Sequence, residues 1–141
     1  MNEMKNSTVL ERIFAHARTM DQKGNPAMTA ERFLVAVVDI INDDTNDNFE
    51  INELRRIVKE YNIDLAETRR NLFEYITVND NVGFLEGIYL QKKIYEAKSK
   101  AEQQGEIELS AARLLMCILA DPSEQIEKLL ATAEGQTAQT P

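Results

Sequence analysis

The sequence predicts an all-α domain made of two related helical halves. Three observations carry that expectation. Apolar residues recur at three- and four-residue spacing through seven segments. Residues that cap or break helices separate those segments. One half also aligns with the other at a constant offset, punctuation included. No segment shows the alternation of a half-buried strand.

The first helix opens at Thr8-Val9-Leu10-Glu11, which reads as an S/T-x-x-E capping box. Val9, Leu10, Ile13, Phe14, Ala17 and Met20 form its apolar face, and Gly24-Asn25-Pro26 stops it. Thr29 caps a second helix carrying Phe33, Leu34, Val37, Val38 and Ile41. Being apolar on most sides, it is expected to be the most buried helix. The polar run Asn42 to Asn48 reads as a loop. A third helix holds Ile51, Leu54, Ile57 and Val58. Asp64 to Glu67 caps a fourth, with Leu65, Leu72, Phe73 and Ile76. A long fifth helix carries Leu90, Ile94, Ala97 and Ala101 and ends at Gly105. Ser110 caps a sixth, bearing Leu114, Leu115, Ile118 and Leu119. Asp121-Pro122-Ser123 breaks it, Pro122 suiting the first turn of a seventh helix with Ile126, Leu129 and Leu130. The reading gives one domain over 1–134: repeat one 8–76, a linker 77–87, repeat two 88–134. Residues 135–141 offer nothing to bury and are expected to form a flexible tail or linker.

The halves align without a gap at an offset of 81, from Ile13/Ile94 to Val38/Leu119. Identities include Gln22/Gln103, Gly24/Gly105, Ala30/Ala111, Arg32/Arg113 and Leu34/Leu115, and Thr29/Ser110 keeps its type. The register resumes at an offset of 75, with Ile51/Ile126 and Leu54/Leu129. Unrelated amphipathic helices share apolar spacing but seldom share stops and starts. Two units packed across a pseudo-twofold axis are therefore expected. Neither unit alone would cover its apolar second helix.

Composition narrows the function. The 141 residues suit one core, and 16 Lys and Arg against 24 Asp and Glu leave a net charge of −8. That excess argues against nucleic acid or an anionic membrane as a partner. No apolar run approaches the ~20 residues of a membrane-spanning helix. Met1 to Thr8 lacks the apolar stretch of a signal peptide. A single cysteine, Cys117, excludes an internal disulfide and fits a reducing cytoplasm. The glycines match neither a P-loop nor a G-x-G-x-x-G spacing. His16 lies mid-helix and Cys117 inside the run Leu114 to Leu119, so neither anchors a credible catalytic triad or dyad. Cys117 reads as a small buried hydrophobe. The sequence points to a non-catalytic chain, with no cofactor or metal of its own.

At this point the residues resemble the Clp N-terminal domain, the double-repeat module at the front of ClpA- and ClpC-type AAA+ unfoldases, the ATP-binding subunits of Clp protease. The family's second-helix motif, roughly [TS]-x-E-H-L-L-x-A-L-L, is matched by Thr29-Ala30-Glu31-Arg32-Phe33-Leu34-Val35-Ala36-Val37-Val38 and by Ser110-Ala111-Ala112-Arg113-Leu114-Leu115-Met116-Cys117-Ile118-Leu119. Its later signature, G-[VI]-D-L-x2-L-R, is matched by Asn62-Ile63-Asp64-Leu65-Ala66-Glu67-Thr68-Arg69. The spacing Phe14-Ala15-x-Ala17-Arg18 is similar to the ClpA-type branch. The resemblance covers about residues 8–131. There are departures. The motif His is Arg32 and Arg113, the motif Glu survives as Glu31 but is Ala112 in the second copy, and no eighth helix follows Leu130.

The resemblance implies two four-helix-type repeats and a docking role. Such an N-domain receives protein substrates or an adaptor of the ClpS kind. It passes cargo to the ATP-driven ring, which feeds the ClpP peptidase in protein quality control and regulated proteolysis. It also implies a binding surface at Glu31 with its neighbours Thr29 and Arg32, and a domain that is monomeric on its own. Two rivals follow from the residues. A double-repeat regulator with no ATPase attached would bind a partner by itself. A calcium loop would use Asn42, Asp44, Asn46, Glu50 and Glu53, with Phe49 at the apolar position, although Asp47 stands where such a loop needs glycine.

Overall fold

The computed structural model describes residues 4–20, 28–43, 48–78 and 84–133. In chain order the elements are β1 (Lys5–Asn6), α1 (Thr8–Arg18), α2 (Ala30–Asp43), α3 (Phe49–Glu60), α4 (Leu65–Val78), α5 (Phe84–Gln103), β2 (Glu108–Leu109), α6 (Ala111–Ala120) and α7 (Glu124–Leu129). The described chain is mostly helical, as the periodicity requires. Gly24-Asn25-Pro26 and the tail 135–141 lie outside the described residues.

Helices α1 to α4, α6 and α7 begin where a side chain accepts from their orphan N–H groups. Ser7 caps α1 by accepting from Leu10 N, so the cap is one residue earlier than Thr8. Thr29 Oγ1 accepts from Arg32 N at 3.2 Å, and Ser110 Oγ from Arg113 N at 3.1 Å. Asn48 caps α3, Asp64 Oδ1 caps α4 and Ser123 caps α7. Pro122 therefore precedes the cap of α7 and is not in its first turn. Two helices end in the same reversal. Gly105 adopts φ +76 after α5, with Glu106 N donating to Ala101 O. Asn62 adopts φ 55 after α3, with Ile63 N donating to Val58 O. Both positions need the left-handed conformation that Gly and Asn tolerate best.

Helix α2 runs through the middle of the core, with eleven of its fourteen residues buried. It packs against α1, α3, α4 and α5, while α6 packs on α3 and α5. One apolar core includes Phe33, Leu34 and Val37 of α2 together with Leu114, Leu115 and Ile118 of α6. Phe14 and Phe33 add a tilted ring pair at 5.7 Å. Three expectations are corrected. Phe73 is 40% exposed instead of joining the core. The linker read over 77–87 gives Thr77 and Val78 to α4 and its last four residues to α5. A small sheet also exists: β1 and β2 pair in parallel, Lys5 beside Glu108 and Asn6 beside Leu109. Two-residue strands are too short to carry a period.

The chain ends of the described region cross between halves. Ser7 N donates to Leu109 O at 2.8 Å. After α7, Asp64 N donates to Ala131 O and Ala133 N donates to Asn62 O, both at 2.8 Å. Thr68 Oγ1 accepts from Ala131 N at 2.9 Å, and Asn71 Nδ2 donates to Leu129 O at 3.1 Å. The segment following α7 is thereby held along the α3–α4 turn.

Candidate functional site

The start of α2 carries Thr29, Glu31 and Arg32, which are 5%, 2% and 4% exposed. Thr29 is committed to capping the helix. Glu31 sits in the first turn, where a carboxylate complements the helix dipole. All three are interior side chains, not a surface patch. Across from them, α5 supplies Tyr89 and Lys93. Tyr89 donates to Asp121 O at 2.9 Å. Burial raises its phenol pKa, and the negative charges of Asp121, Glu31 and Glu96 push the same way. Lys93 is 4% exposed, with Nζ 3.0 Å from Asp121 Oδ2 and 3.3 Å from Glu96 Oε1. Burial alone would lower its pKa, but those two carboxylates outweigh it and hold the ammonium charged. In the second half, Ala112 is buried and Arg113 pairs with Glu106 instead of with a carboxylate of its own motif.

A second cluster joins three helices. Asp39 of α2 takes His16 Nε2 of α1 at 2.8 Å and Arg69 Nε of α4 at 2.6 Å. Burial would raise the Asp39 carboxyl, but Arg69 first and then His16 hold it below its ordinary value of 3.8. Arg69 also lies 5.3 Å over the Phe73 ring. This junction was absent from the sequence reading. A lone carboxylate in the apolar run Phe33 to Ile41 was the available signal, since a charge there needs a cation.

Cys117 is a free, buried thiol whose pKa is raised by burial, which suits packing and not nucleophilic attack. A cavity of about 20 Å³ lies among Leu34, Val38, Leu72 and Leu115, room for about one water, and Thr68 is the one polar side chain in its lining. The calcium loop is only partly within view, because Asp44 to Asp47 lie outside the described residues. Of the rest, Asn48 caps α3 and Phe49 is 81% exposed. Glu53 pairs with Arg56. Glu50 Oε2 accepts from Ser7 Oγ at 2.5 Å and from Ala111 N at 2.7 Å. Glu50 is thus engaged inside the fold, and Glu53 in an exposed ion pair along α3. Among the described residues no helix is long and apolar enough to cross a membrane.

No family model matches the chain, no curated protein matches it, and no solved structure matches its fold.

Proposed function

We propose that this chain is a non-catalytic docking domain, a cytoplasmic double-repeat module that delivers protein substrates or a ClpS-like adaptor to an ATP-dependent Clp-type unfoldase. The observation that carries the reading is the placement of the helix caps. Thr29 and Ser110 start α2 and α6 at the offset of 81, and Asn48 and Ser123 start α3 and α7 at the offset of 75. Caps at matched positions favour two copies of one helical unit over chance likeness of apolar spacing. The internal positions of Glu31, Thr29 and Arg32 give them an indirect part: they fix the first turn of α2 and so shape the surface that a partner meets.

The test mixes the purified chain with a ClpS-type adaptor and follows binding by calorimetry at about 50 and 300 mM salt. Binding that weakens with salt is expected, because the chain carries a charge of −8. Glu31→Ala should weaken it further, with helicity retained. Absence of adaptor binding at either salt removes the adaptor reading. Unchanged binding by Glu31→Ala removes the α2 start from the elements that shape the docking surface.

A further inference from the structure

The inner face of α4, Thr68, Leu72 and Ile76, is buried. Its outer face lines an open hollow of about 400 Å³. Along that face Ala66, Arg70, Phe73 and Thr77 follow at spacings of four, three and four. Paired helices meet along rows of this spacing, and here the row alternates apolar Ala66 and Phe73 with polar Arg70 and Thr77. Two apolar residues of the hollow are exposed, Phe73 by 40% and Val78 by 74%. The Phe73 ring is held from one side by Arg69, itself clamped on Asp39.

We propose that this face pairs with the same face of a second copy of the chain, antiparallel, about a twofold axis near residue 72. A twofold contact is self-complementary, so it sets residue i against a residue numbered near 144 − i. That arithmetic places Arg70 opposite Glu74 of the second copy, and Glu74 opposite its Arg70. Ala66 meets Val78, a small side chain against a larger one, and the two Phe73 rings flank the axis. A parallel pairing would instead oppose Arg70 to Arg70. An unrelated partner would have to supply this pattern, whereas a second copy supplies it by symmetry. In the single chain Arg70 pairs with Glu67, but it is 69% exposed there, so turning it across the interface gives up little. One helix face per copy is smaller than the ~800 Å² per partner of a stable complex. The pair is therefore weak, with a dissociation constant around 1 mM. The chain is monomeric when dilute and paired where many copies are held close together.

Sedimentation velocity of the whole chain, from about 20 μM to 1 mM at low salt, reads the association directly. The mean mass should rise with concentration. Arg70→Glu and Glu74→Arg should each weaken pairing at least about tenfold, since each opposes like charges twice. The double variant R70E/E74R restores complementarity and should restore pairing, which a general loss of folding would not do. A monomer throughout, single reversals without effect, or no rescue in the double variant overturns the proposal. A monomer whose single reversals weaken binding of a ClpS-type adaptor also overturns it and gives the face to that partner.

Discussion

Asp39 holds α1, α2 and α4 together through two side chains that reach it from 23 and 30 residues away. Its carboxyl is held below the ordinary 3.8 because Arg69 and His16 outweigh its burial. A lowered folded value means the ionised form is the one the fold favours. The contribution is fully present above the unfolded value and is lost as pH falls through the lowered folded value. Asp39→Asn should therefore cost about 1–2 kcal/mol at pH 7. The gap to wild type should close as the pH drops well below about 3.8. Urea midpoints at pH 7 and in strong acid measure this, and an equal gap at both would remove the ion-paired account. The acid was visible in the sequence as the charged residue in an apolar run. Its partners were not, because helical spacing carries no information about contacts between helices. Glu31 shows the converse. Its dipole-favoured position was legible, but its 2% exposure was not, because burial comes from the helices packed around α2.

Helix starts were the most legible elements, since Thr29, Asp64 and Ser110 cap where the sequence places them. The first cap moved to Ser7 because Ser7 can accept from Leu10 N while its hydroxyl donates to Glu50. That second bond is long-range and leaves no local pattern. Glu50 lies in the first turn of α3 and accepts from the cap of α1 and from the first N–H of α6. One carboxylate thus stabilises three helix N-termini, each of which favours negative charge. Ser7 and Ala111 are 1% and 0% exposed, so water cannot readily replace it. Glu50→Ala should cost about 2–3 kcal/mol, and Glu50→Gln, which keeps an acceptor, about half that. Amide exchange at Ala111 should quicken in the alanine variant before the rest of the core responds. Wild-type exchange and stability in Glu50→Ala would show that the contact contributes nothing. The same long-range logic explains why β1 and β2 escaped the sequence reading: their pairing spans the chain, and neither has length enough for a period.

At the scale of the whole molecule, the paired offsets predict two units that fold only together, and backbone hydrogen bonds do join the two halves. They also limit the likeness. Phe14 is buried, while Tyr95, its partner at the offset of 81, is 75% exposed. The buried stripe of α5 uses Leu90, Ala97 and Ala101, so the two first helices do not present the same face. A sequence alignment matches residue types and cannot register such a rotation about the helix axis. The interlock runs both ways. The N-terminal strand needs Glu108 and Leu109, and the α3–α4 turn needs Ala131 and Ala133. Residues 1–78 alone would leave Ser7 N, Asp64 N and Thr68 without those partners and would expose the α3 side chains that face α6. A piece of that size is marginal to begin with and has little stability to set against such losses. Neither 1–78 nor 84–141 should therefore unfold cooperatively in urea when made alone. Mixing the two should recover helicity and a single transition, because the contacts that join them are the ones each lacks. A fragment 1–78 with a sharp transition of its own would mean that the first half is an independent domain, with the second merely leaning on it.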